Sequence, residues 1–93
     1  MKIIQSIQTE ELKAGRFCRI VLRQHGEGET PSPDRGLYSV VVAHGDIIDD
    51  VERTTGMFVR YEGDDLEAAR ALCQRLKDER LRYGYLERPA GVR

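Results

Sequence analysis

The residues able to do chemistry fall into two groups. The first is basic and lies near the C-terminus: Arg70, Arg75, Lys77, Arg80 and Arg82, followed by Tyr83 and Tyr85. Cationic side chains in such a run can neutralise phosphates, which supply the salt-sensitive, sequence-independent part of nucleic-acid affinity. A tyrosine beside them can stack on a base or ribose. Arg70, Lys77 and Arg80 fall along one side of a helix with a 3.6-residue period. The plainer reading is a solvated helix face. Its basic last turn suits the helix dipole, while Glu67, Asp78 and Glu79 dilute the field. On that reading Tyr83 and Tyr85 pack the helix end back onto a sheet.

The second group is acidic: Asp46, Asp49, Asp50 and Glu52, with His44 just before them. Oxygen-rich clusters can hold hard cations, yet this spacing fits neither a calcium loop nor a zinc motif. A charged sheet edge, protected against pairing with other chains, accounts for it more simply. No metal or other cofactor is expected. Catalysis has little to draw on. His25 and His44 are the only histidines, Ser32 lies between two prolines, and Ser39 sits inside an apolar run. No nucleophile elbow or paired-carboxylate signature occurs, and Gly26 and Gly28 lack the Lys-Ser/Thr of a phosphate loop. The sequence therefore predicts a non-enzymatic chain.

Composition narrows the partners. The 93 residues suffice for one domain, and 40% apolar with 33% charged residues suits a globular domain rather than a disordered chain. A net charge of −1 gives no global attraction to nucleic acid. Locally, residues 66–93 carry seven bases against four acids, or +3. Cys18 and Cys73 are far apart in apolar settings, which is neither a disulfide framework nor a metal spacing. Both are expected in the core of a reduced, cytoplasmic protein. The longest apolar run is Val40 to Ala43, so no membrane partner is expected.

The elements that must position these residues follow from periodicity. Residues 2–9 read as a short strand, and residues 10–15 as a connection ending in glycine. Residues 16–24 alternate, with Cys18, Ile20 and Leu22 on one face and Phe17, Arg19, Val21 and Arg23 on the other. Residues 25–36, rich in Gly and Pro, read as a mobile loop. Residues 37–44 are nearly continuous in β-branched side chains and predict a central strand. Gly45-Asp46 reads as a turn or bulge, 47–53 as a further strand, Thr55-Gly56 as a second turn, and 57–61 as a last strand. Asp64 with Glu67 resembles a capping box. Leu66, Ala69, Leu72, Cys73 and Leu76 then give one apolar helical stripe, and Gly84 stops the helix. Residues 87–93 read as a loose tail. The prediction is a single α+β domain over residues 1–93. A small twisted antiparallel β-sheet of four to five strands packs against one long C-terminal α-helix.

This order of elements resembles the WGR domain. The similarity covers most of residues 16–85. It runs through the strand Phe17-Cys18-Arg19-Ile20-Val21-Leu22 and a strand that opens at Tyr38 and reaches His44-Gly45-Asp46. It ends with the helix closing in Glu79-Arg80-Leu81-Arg82-Tyr83-Gly84-Tyr85. That closing Gly-Tyr is the more specific part. The resemblance implies a small sheet-plus-helix module that, in DNA-damage-dependent poly(ADP-ribose) polymerases, binds broken DNA through its Trp and Arg. Here His44 stands where the Trp would be and Asp46 where the Arg would be; only Gly45 matches. A carboxylate in place of a guanidinium repels phosphate. The expected function is a WGR-like, non-enzymatic binding module that contacts nucleic-acid backbone through Arg70, Lys77, Arg80 and Arg82, with Tyr85 for stacking. The alternative is a protein-interaction or oligomerisation domain without nucleic-acid binding. It would use an exposed sheet edge or the Phe17/Val21 face.

Overall fold

A computed structural model of the chain describes residues 2–25 and 37–88. The predicted loop therefore lies outside the described residues except for His25, and so does the tail beyond Arg88. Five strands and one helix follow in order: β1 Lys2–Glu11, β2 Arg16–Gln24, β3 Tyr38–Ile48, β4 Val51–Gly63, α1 Leu66–Arg82 and β5 Leu86–Arg88. The strands form one antiparallel sheet in the order β4-β3-β2-β1-β5. This is the expected small α+β fold, with the sheet packed against the C-terminal helix.

The alternation of β2 sets the layers. Ile7, Ile20 and Val42 are cross-strand neighbours, as are Leu22 and Val40. All five are buried together with Cys18 and with Ala69, Cys73 and Leu76 of α1. The helical stripe read from the sequence is thus the face that closes the core, with Leu66 and Leu72 at its margin. Burying such side chains is worth about 1.5–3 kcal/mol each. Tyr61 ties β4 to the start of α1: its hydroxyl accepts from the Asp65 N–H at 3.1 Å and donates to the Asp65 carbonyl at 3.3 Å.

The opposite face is covered too. Phe17 is buried there, with the Arg19 guanidinium 5.7 Å from its ring centre. Glu52, near the tip of the β3–β4 hairpin, reaches back across that face. It pairs with Arg19 and accepts from Gln8 Nε2 at 2.7 Å. Arg19 Nε also donates to the Gln8 side-chain oxygen at 2.8 Å. The mixed face of β2 is therefore covered by the curl of a long hairpin.

Several boundaries differ from the reading of the sequence. β1 runs to Glu11, so the connection to β2 is tighter than 10–15. At Gly45-Asp46 the bulge rather than the turn is realised: β3 continues to Ile48 with a register shift against β4 at the His44–Gly45 step, and β4 is one strand from Val51 to Gly63. The turn lies at Asp49-Asp50, both with positive φ, 53° and 63°. Two consecutive left-handed residues match the right-handed twist of a tight hairpin. Thr55 is an extra residue opposite the His44–Gly45 step, so the predicted second turn is a bulge within β4. The helix cap is Asp65, whose carboxylate accepts from the Ala68 N–H at 3.1 Å. Asp64 instead accepts from the Leu37 N–H at 2.8 Å. Glu87 and Arg88, read as the start of a loose tail, instead join Leu86 in β5 against Gln8–Glu10. There Arg88 Nε comes within 3.6 Å of the buried Glu10 carboxylate.

Candidate binding cleft

The helix end shapes the site. Gly84, at φ 91°, lets its own N–H donate to the Leu81 carbonyl at 3.2 Å and the Tyr85 N–H donate to the Arg80 carbonyl at 3.1 Å. This is the Schellman arrangement, which satisfies the last free carbonyls and reverses the chain. The reversal folds Tyr85 back against the core and sets its ring 5.5 Å from the Arg80 guanidinium. Tyr83, by contrast, is 70% exposed.

Below that helix end, β2 and β3 present their own residues. Arg16 pairs with Asp46, Phe17 with Gly45, and Cys18 with His44. Gly45 is required by close approach: a Cβ there would sit 1.9 Å from the Arg53 carbonyl oxygen. His44 lies flat against Phe58, with centroids 5.4 Å apart and planes 14° apart. Its Nδ1 is 3.5 Å from the Thr55 hydroxyl. Together Arg16, Phe17, His44, Gly45, Asp46, Thr55, Arg80 and Tyr85 line one cleft of about 400 Å³.

The sequence-predicted residues divide accordingly. Arg80, Tyr85, His44, Gly45 and Asp46 meet in the cleft. Arg70, Lys77 and Arg82 are not among its lining. Arg70 is exposed on the outer side of α1. Lys77 holds Glu87 at 3.1 Å. Arg82 lines a separate shallow depression with Arg75, Asp78 and Tyr83. Arg16 and Thr55 are the members that sequence reasoning did not single out. Their only signal was the cross-strand register, which is unreadable until β2 and β3 are paired.

The cleft is rich in donors. Two guanidinium groups, an imidazole and two hydroxyl-bearing side chains line it with one carboxylate, so the formal balance of Arg16 and Arg80 against Asp46 is two minus one, or +1. Neither Arg16 nor Arg80 forms an ion pair with a carboxylate among the described residues. Arg80 also touches the Cys18 thiol. Burial pushes that thiol above its ordinary 9.0, and the Arg80 charge and hydrogen bond only partly offset it. A buried, protonated thiol is a poor nucleophile. The arrangement can hold an anion beside an aromatic ring. Glu52 is held by Arg19, and among the described residues no three His, Cys, Asp or Glu side chains gather in a group that could hold a metal ion.

No family model, no curated protein and no solved structure matches the chain. Among the described residues, no helix is long and apolar enough to cross a membrane.

Proposed function

We propose that the chain is a non-enzymatic, WGR-like binding module that takes a phosphate of a nucleic-acid backbone in this cleft. Arg80 and Arg16 would contact the phosphate, and Tyr85 the adjoining ribose or base. One observation carries this reading. Arg80 and Tyr85 at the end of α1 and His44-Gly45-Asp46 in β3 line the same cleft, with Arg16 beside them. The carboxylate of Asp46 argued against phosphate when viewed alone. In the fold its cross-strand neighbour is Arg16, so a guanidinium stands next to the position it fails to fill. Arg70, Lys77 and Arg82 are left with a supporting, long-range role at most.

Fluorescence anisotropy with labelled nicked, single-stranded and blunt duplex DNA tests this. Binding should weaken with salt with a slope of about −0.7 to −0.9, as contact with one phosphate requires. Arg80→Glu and Arg16→Glu should each cost about tenfold or more, since reversal replaces attraction with repulsion at a charge-assisted contact. Arg70→Glu should cost less than about threefold, as an exposed charge outside the contact is screened. Equal losses for all three variants would contradict the cleft as the contact site. No binding at low salt would remove the nucleic-acid reading.

A further inference from the structure

The sheet has two unequal edges. β5 is three residues long, whereas β4 runs for 13 residues with no strand paired to its outer side among the described residues. The middle of β4 is apolar and open: Met57, Phe58 and Val59 are 66%, 55% and 54% exposed. Edge strands are normally guarded by charge at such points. Here the charges stand to either side instead, at Arg53, Arg60 and Glu62.

We propose that β4 pairs antiparallel with β4 of a second copy, about a twofold axis at Phe58, to form one continuous sheet of ten strands. The strand is self-complementary in that register. Phe58 meets its own mate on the helix face. Met57 meets Val59 of the second copy, and Val59 meets its Met57, on the opposite face. The regular seam is the stretch between the bulges at Thr55 and Arg60, and no like charges oppose one another within it. Charge is also complementary end to end. Glu52 is already held by Arg19 and Gln8, which leaves Arg53 as the free charge at the start of the strand. The end of the strand carries Glu62, Asp64 and Asp65. Antiparallel pairing sets each start against the other copy's end. Directly opposed residues are about 4.5–5.5 Å apart between Cα atoms in such a ladder. That lies within disulfide reach.

Sedimentation equilibrium from about 10 µM to about 1 mM, the range of weak association, reads this directly. The wild-type chain should shift from one copy to two. Val59→Lys, at an exposed position clear of the cleft, should remain a single copy throughout while keeping its melting temperature. Phe58→Cys should cross-link to itself on mild oxidation, whereas Leu86→Cys, exposed on the other edge, should not; Cys18 and Cys73 are buried and do not compete. A wild-type chain that stays single at the top concentration overturns the proposal. So does a dimer that Val59→Lys leaves intact, or cross-linking at Leu86→Cys in place of Phe58→Cys. None of these results bears on whether the cleft binds phosphate.

Discussion

At the residue scale, Gly45 and Arg80 carry the cleft. Gly45 was legible as a special position and illegible in its reason. It reads as the glycine of a turn or bulge; its φ is not positive and the strand continues through it, so only the bulge is realised. What excludes a side chain is the bulged β4 backbone lying directly over it. Gly45→Ala should therefore push β4 outward and cost about 3 kcal/mol, as overpacking against backbone does. For a domain of this size that lowers the melting temperature by roughly 12–24 °C. A fall of only a few degrees would show that β4 yields easily. Arg80 was legible as a base near the helix end. Its contacts with Tyr85 and the Cys18 thiol were not, because they depend on where the helix lands on the sheet.

At the scale of elements, the helix was the easiest to read. Its apolar stripe, acidic start and glycine stop each leave a local signal, and the three agree. The β3–β4 hairpin was the hardest. Its sequence places glycines at Gly45 and Gly56, the expected marks of a turn, while the true turn uses Asp49-Asp50, whose second position lacks the glycine such a turn favours. The glycines serve instead as close-approach positions: Gly45 under β4, and Gly56 beneath the His44 ring. The cost of the turn can be recovered. Asp49→Gly should relieve the positive φ and raise stability by about 0.5–1 kcal/mol, read as a higher urea midpoint at unchanged slope. A loss of stability would mean that the Asp49 carboxylate contributes more to the tip than its backbone costs.

At the scale of the whole molecule, the α+β class and the helix-on-sheet core were legible because they rest on alternation and on the 3.6-residue period. The cleft was only half legible. Its members come from β2, β3, β4, the last turn of α1 and the residues just after it, and no spacing in the chain reports such a meeting. The two core thiols make the folded state as a whole sensitive to alkali. Burial raises both Cys18 and Cys73 above 9.0. The unfolded chain therefore releases these protons first as pH rises. The stability they provide is full below about pH 9 and is lost as pH climbs from there through the raised folded values. Urea midpoints at pH 7.5 and pH 10.5 should fall more for the wild-type chain than for a Cys18→Ala, Cys73→Ala variant; parallel falls would assign the alkaline loss to other groups.

The measurement closest to the central claim is a map of backbone amide shifts on titrating a short 5′-phosphorylated oligonucleotide into the labelled chain at low salt. The largest shifts should fall on Arg16, His44, Gly45, Thr55 and the Arg80–Tyr85 turn. Arg70, Arg75 and the outer side of α1 should barely move. Shifts concentrated on that outer helix face, with the cleft silent, would contradict the account and return the basic run to being the contact surface.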